Sequence, residues 1–309
     1  MADQPNQEKN QQTKSYEELE KYWDNFSTKY TTLISSCQSG LYCNMISMLK
    51  VERSKKILET AIGPAYMLPH LIQRVQKGTE ITITDLSTKF LAIAEKRTDI
   101  FLNDPYSNLY NFDIETLPNF QQTRKYDKLN LTIQKENSEN LSFSDESFDT
   151  YISSLCLQLT LDPKKMLKEA HRVLQKGGRA VFSVWGDFDK STCFSIIPKI
   201  LEKFEKVEKS KERSNFHLND KEKLIQMAKD AGFSNIITFN TFTPMNFILN
   251  ENDIDQFLKI PKNQQDALLA GEENKEKVIE EAKKQIQKII FEEHRTIGMD
   301  ILVLVCDKQ

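Results

Sequence analysis

Apolar residues along the chain follow two spacings. Short apolar runs at residues 57–60, 81–84, 129–133, 148–153, 179–185, 236–242 and 301–306 read as seven strands. Several are apolar almost without interruption, the style of strands covered on both faces. Between them, apolar positions recur at i, i+3, i+4 and i+7. Leu68, Leu71, Ile72 and Val75 predict a helix over 64–76, and Phe90, Leu91 and Ala94 predict one over 87–97. Asp162-Pro163 supplies an N-cap and an N1 proline for a helix carrying Met166, Leu167, Ala170, Val173 and Leu174. Asn219 and Glu222 have capping spacing before Leu224, Ile225, Ala228 and Ala231, and Gly232 marks the end of that helix. Strand and helix alternating from residue 57 predict an α/β fold with a parallel sheet and crossover helices.

Three stretches stand outside this alternation. Ser15 and Glu18 have capping-box spacing before Leu19, Tyr22, Trp23, Phe26 and Tyr30. That aromatic stripe either packs on the core or belongs to a helical lid, 15–50, closing over a ligand. Residues 99–128, with Pro105 and Pro118 and no steady period, read as an insertion. Residues 251–296 read as a helical insert before the last strand. Within it, 272–293 is amphipathic, with Val278, Ala282, Ile286, Ile289 and Ile290 on one stripe. Its charges make a solvated face, with a protein partner as the second reading. A core strand at the far end of the sequence predicts that 15–309 is one domain with elements inserted into it.

Composition narrows the function classes. The chain has 309 residues, 39% hydrophobic and 28% charged, with net charge −3. Nothing in that balance favours nucleic acid. No apolar run reaches the roughly 20 residues of a membrane span. Residues 1–14 are polar and rich in Gln and Asn, a disordered tail without the apolar core of a secretory signal. The cysteines, Cys37, Cys43, Cys156, Cys193 and Cys306, form no C-x-x-C pair. They read as reduced thiols in a cytoplasmic protein rather than a disulfide framework or zinc site. The four histidines are scattered too, so no metal centre is expected.

The chemistry centres on ILETAIGPAYML, residues 57–68. A strand, a small-residue turn and a helix bring backbone N–H groups to a ligand. Asp85 follows Gly63 by about 20 residues, at the end of the second strand, where a carboxylate can accept both hydroxyls of a ribose. A diphosphate needs the glycine-rich approach. Here Ala61 and Ala65 fill two such positions, Pro64 lacks an N–H, and no basic residue follows until Arg74. A phosphate-free nucleoside fits better, and Glu59 at the mouth could pair with an α-ammonium. S-adenosylmethionine has all three properties.

Residues 22–186 resemble the class I SAM-dependent methyltransferases, in the broad type-11 group that includes quinone-biosynthesis enzymes. The run ENLSFSDESFDTYISSLCLQLTLDPKKMLKEAHRVLQKGGRAVFSVWG carries the resemblance, with its N-L-x-F turn, D-x-S-F-D strand entry, D-P helix, R-V-L-x-x-G-G turn and F-S-x-W strand. ILETAIGPA is similar to the E-x-G-x-G-x-G motif, with only Gly63 kept, and TDLS to the ribose acid. The resemblance implies a doubly wound, seven-stranded Rossmann-like sheet, mostly parallel with an antiparallel C-terminal strand. It implies that Glu59, Ala61 and Gly63 border the methionine moiety, that Asp85 holds the ribose and that Leu86 packs on the adenine. Asn137 and Ser138 would meet the adenine edge, and Ser154 and Leu155 would line the site after the fourth strand.

The expected reaction is in-line methyl transfer to a small, hydrophobic acceptor, chosen by the N-terminal helix, the 187–218 segment and the 251–293 insert. The general-base candidates are His217 and Tyr30, with Tyr22 behind them. His171 is expected on the polar side of its helix. The rival expectation is a catalytically inactive, methyltransferase-like scaffold subunit.

Overall fold

The computed structural model describes residues 15–33, 35–102, 122–125, 129–204 and 213–309. The tail 1–14 and most of the 99–128 insertion lie outside these residues. All seven expected strands form: β1 (Lys56–Thr60), β2 (Thr79–Asp85), β4 (Leu129–Lys135), β5 (Phe148–Ser154), β6 (Leu174–Trp185), β7 (Ser234–Pro244) and β8 (Gly298–Asp307). An eighth, β3 (Gln122–Lys125), adds to the seven expected strands. It pairs antiparallel with β4 at the sheet edge. Gln-Thr-Arg-Lys has no apolar alternation, because an edge strand gains order from its neighbour's ladder and is commonly charged.

The strand order is β3-β4-β2-β1-β5-β6-β8-β7. β4, β2, β1, β5 and β6 are parallel. β8 runs antiparallel between β6 and β7. The order reverses between β1 and β5, so their carboxyl ends open the crevice where doubly wound sheets bind ligands.

The helices are α1 (Tyr16–Leu33), α2 (Ser39–Leu49), α3 (Leu68–Arg74), α4 (Thr88–Leu102), α5 (Pro163–Val173), α6 (Thr192–Leu201), α7 (Lys221–Asp230), α8 (Glu251–Leu258), α9 (Pro261–Leu268) and α10 (Glu272–Gln287). Successive residues of β1 point to opposite faces of the sheet. Ile57 joins Ile83, Ile152, Val181 and Val303 beneath α2, α3, α4 and α6. Leu58 joins Tyr151, Phe182 and Leu304 beneath α5 and α7.

Local signals explain most boundaries. Ser15 and Glu18 form the expected capping box, Ser15 N donating to Glu18 Oε2 at 2.7 Å and Glu18 N to Ser15 Oγ at 3.2 Å. Asp162 caps α5 through the N–H groups of Lys164 and Lys165. The cap of α7 is Asp220, not Asn219; its side chain accepts from the N–H groups of Glu222 and Lys223. α3 begins at Leu68 rather than residue 64, because Ala61, Gly63 and Ala65 all take left-handed φ (53°, 53° and 56°) and hold the chain out of a helix. On α10, Val278, Ala282 and Ile286 are fully buried within the core, among α6, α8 and α9. The expected apolar stripe is therefore covered by the chain itself. Among the described residues, no helix is long and apolar enough to cross a membrane.

Candidate functional site

The crevice at the carboxyl ends of β1, β2 and β5 gathers most of the expected site residues. Asp85, at the end of β2, is 7% exposed. Its Oδ2 accepts the N–H of Gly63 at 2.9 Å, and its Oδ1 accepts that of Ser87 at 2.8 Å. The strand that ends in the acid thus ties down the turn that follows β1. Burial pushes the Asp85 carboxyl up to about 6, against the opposing pull of these N–H groups. A carboxylate has about four lone-pair sites, so further acceptance from two hydroxyls remains open to it. Leu86 is half-buried beside it.

Glu59 is 3% exposed, and its Oε2 finds no hydrogen-bond partner among the described residues. Burial alone pushes its carboxyl up to about 8. A buried acid without a partner is costly unless a ligand completes it. A cation such as an α-ammonium would supply both charge and N–H donors, so this residue fits the methionine end of S-adenosylmethionine. Gly63 faces aromatic rings carried by α1 and α4. An added Cβ there would meet only the rings of Tyr30 at 3.7 Å and Phe90 at 3.9 Å. Ala61 and Ala65 adopt the glycine-like backbone that the motif demands, at a strain of about 1–2 kcal/mol each.

After β4, Asn137 Oδ1 accepts from Glu139 N at 2.9 Å, and Ser138 is half-buried alongside. Glu139, 1% exposed, had no assigned role in the sequence. It accepts the N–H groups of Leu161 and Asp162, each at 2.8 Å, and the Tyr16 hydroxyl at 3.2 Å. After β5, Leu155 takes a left-handed φ of 53°. Its N–H donates to Ser183, and Ser154 Oγ lies 3.2 Å from Ser183 Oγ. Burial pushes the neighbouring Cys156 thiol up to about 12, with Asp85 and Glu139 adding to the effect.

α1 crosses this crevice. Beyond the Tyr16–Glu139 bond, Glu20 accepts from Lys135 at 2.5 Å and from Thr88 at 3.1 Å. Asp24 accepts from Ser87 Oγ at 2.6 Å and from Lys89 N at 3.1 Å. Trp23 and Tyr30 both pack on Phe90 of α4. The aromatic stripe therefore faces the crevice; Tyr22, 54% exposed, lies outside it. The Tyr30 hydroxyl accepts from Gln38 Nε2 at 3.2 Å. Burial pushes this phenol up to about 12, so it stays protonated at neutral pH and suits packing or donation more than base work.

His217 is half-buried, with Nε2 3.0 Å from the Gln158 carbonyl oxygen. Burial lowers its pKa, so the ring is neutral at pH 7 and Nε2 carries the proton toward that carbonyl. His171, expected on a polar helix face, instead packs edge-on against Phe233 at 5.1 Å. In the 187–218 segment, Ile196 and Ile197 turn into the core and Phe194 stacks on Trp185 at 4.2 Å. Part of that segment's apolar content is therefore core. What faces outward at the end of β6 is the cluster of Trp185, Phe188 and Phe216, with ring centroids 5.0–5.1 Å apart. It borders an open cleft of about 450 Å³ lined by Asp187, Phe188, Asp189, Lys190, Asn219 and Asn240.

A family model for a methyltransferase domain matches residues 98–182. The match supports the resemblance to the class I SAM-dependent methyltransferases of the type-11 group. Among curated relatives, it is 28% identical to the ubiquinone/menaquinone biosynthesis C-methyltransferase of Zymomonas mobilis, over 68% of this chain and 81% of that protein. It is 26% identical to the malonyl-[acyl-carrier protein] O-methyltransferase of a Marinomonas species, over 54% of this chain and 51% of that protein. The chain spans about half the length of the first curated relatives it matches. Among solved structures, it resembles phosphoethanolamine N-methyltransferase 2 of Haemonchus contortus bound to S-adenosyl-L-methionine (TM-score 0.54, 15% identity, 96% of this chain and 60% of that one). It also resembles the [4+2]-cyclase SpnF (TM-score 0.55, 12% identity, 96% and 97%). At such identities these two likenesses speak for the fold alone, and the second shows that the fold also carries other chemistry.

Proposed function

We propose that the protein transfers the methyl group of S-adenosylmethionine to a small, largely apolar molecule. The observation that carries this reading is the buried Glu59 carboxyl, whose Oε2 has no hydrogen-bond partner among the described residues, beside the Asp85–Gly63 turn. An inert scaffold would gain stability by replacing such a group with an apolar one; a cofactor with a cationic end gives it a purpose.

S-adenosylmethionine would supply an activated methyl group on a sulfonium. The chain's part is alignment and exclusion of water. Glu59 would pair with the ammonium, Asp85 would accept from the ribose hydroxyls, and Leu86, Asn137 and Ser138 would surround the adenine. Ala61, Gly63, Ser154 and Leu155 would line the space between. α1 would close over the bound cofactor through Trp23 and Tyr30. The acceptor would enter against Trp185, Phe188 and Phe216, its nucleophilic atom in line with the departing sulfur. A neutral His217, held on a backbone carbonyl, would shape that wall; Tyr30 would remain a protonated phenol.

The test is calorimetric titration with S-adenosylhomocysteine and, in parallel, with NAD. Micromolar binding of the first and none of the second is expected. No binding of S-adenosylhomocysteine at millimolar concentration, together with no thermal stabilisation, sinks the reading.

A further inference from the structure

Gln158 is fully buried in the turn that follows β5, yet its Oε1 finds no hydrogen-bond partner among the described residues. The orientation of its amide is decided by Nε2, which donates to the Leu155 carbonyl oxygen at 3.0 Å. Turning the amide over would lose that bond. Buried side-chain carbonyls without a donor are uncommon and need a reason. Here the surroundings make an accident costly, because the residue is held from several sides. Its backbone carbonyl takes His217 Nε2 at 3.0 Å and Arg213 at 3.4 Å. Arg213 reaches the Thr160 and Leu161 carbonyls as well. The segment between α6 and α7 is thus clamped onto the turn after β5, with Gln158 at the junction.

That junction joins two regions. On one side lie Leu155 and Cys156, which follow the carboxyl end of β5 where it pairs with β1. On the other lies Phe216, next to His217 in sequence and packed on Trp185 and Phe188. Gln158 thus ties the turn beside the cofactor crevice to the segment that carries the aromatic wall, and an unspent acceptor at that junction would favour a ligand that brings a donor on an apolar frame.

We propose that Gln158 Oε1 is the specificity-determining contact for the methyl acceptor, and that this acceptor is an apolar, ring-bearing molecule with an O–H or N–H group, such as a phenol or an arylamine. The inference rests on the methyltransferase reading and deepens it. A site built to receive a donor discriminates strongly against an analogue that lacks one, since its own acceptor is then left unpaired. Arg213 and His217 are positioning residues that hold the turn.

The experiment uses the full chain saturated with S-adenosylhomocysteine and two pairs of ligands. These are 1-naphthol with 1-methoxynaphthalene, and 1-naphthylamine with N,N-dimethyl-1-naphthylamine. In the wild type, the donor-bearing member of at least one pair is expected to bind about tenfold or more tightly than its methylated counterpart. Gln158→Leu, again saturated with S-adenosylhomocysteine, should reduce that ratio to about twofold or less. Gln158→Glu, which burial would keep protonated, retains a donor for the Leu155 carbonyl as well as an acceptor for the ligand and should retain the preference. The inference is overturned by a wild type that binds neither pair or shows no donor preference, or by a preference that survives in a folded Gln158→Leu. Failure of the wild type to bind S-adenosylhomocysteine strikes the cofactor reading instead, so the two failures are separable.

Discussion

The Asp85 carboxylate accepts the backbone N–H of Gly63 at 2.9 Å, joining the end of β2 to the turn after β1. The residue expected to grip a ribose therefore also fixes the loop on which the rest of the cofactor would lie. Asp85→Ala removes both functions and should lower S-adenosylhomocysteine affinity by about 100-fold, in the range of a lost charged hydrogen-bond pair. Asp85→Asn keeps one acceptor oxygen and should lose about tenfold. Titration calorimetry with circular dichroism as a folding control reads both, and unchanged affinity in a folded Asp85→Ala refutes the ribose contact.

Glu59 gives a pH signature. Its carboxyl lies at about 8 and that of Asp85 at about 6, both raised by burial; unfolded, each titrates near pH 4. The folded state thus binds more protons than the unfolded one across that window. The stability contributed is full below about pH 4 and is lost as pH rises through 6 and then 8. The melting temperature of the cofactor-free protein should fall between pH 5 and 9, and Glu59→Gln should flatten the upper part of the fall. A cationic cofactor favours the ionised acid. Binding of S-adenosylmethionine near pH 7 should therefore release close to one proton in the wild type and almost none in Glu59→Gln. Calorimetry in buffers of different ionisation enthalpy measures that difference.

Ala61 and Ala65 hold left-handed backbone that glycine would adopt freely. Ala61→Gly and Ala65→Gly should each stabilise the fold by about 1 kcal/mol, the relieved strain less the freedom gained by the unfolded chain. Urea titration reads the gain. A loss of stability in both variants contradicts a strained turn.

Asp162 caps α5 with two backbone N–H groups, at 3.0 and 3.1 Å. Asp162→Ala should cost about 1 kcal/mol of stability. Its carboxylate lies outside the proposed cofactor contacts, so affinity for S-adenosylhomocysteine in the folded variant should stay within twofold or so of the wild type.

Much of the fold was legible because its signals are local. Continuous apolar runs marked seven strands, and Asp162-Pro163 marked a helix start that the structure keeps. Where two neighbouring residues could each cap, as with Asn219 and Asp220, spacing favoured the wrong one; the choice depends on which side chain reaches the free N–H groups. β3 escaped notice because its order comes from β4 rather than from its own residues. In the site, Glu59, Gly63 and Asp85 were legible from motif spacing. Glu139 and Gln158 were not, since their roles depend on partners brought together by the fold: Tyr16, 123 residues from Glu139, and His217, 59 residues from Gln158.

The sequence by itself determined the alternating strands and helices and marked the small-residue turn after β1, while the doubly wound strand order was what the family resemblance implied. The strands, helices and turn depend on side-chain periodicity and on residue types at short separations. Only the tertiary structure decided that Ala61 and Ala65 take glycine's backbone, that α1 lies across the crevice, and that Glu59 and Gln158 are buried with acceptor atoms unspent. Burial and pairing are properties of what surrounds a group, and for these residues the surroundings come from distant parts of the chain.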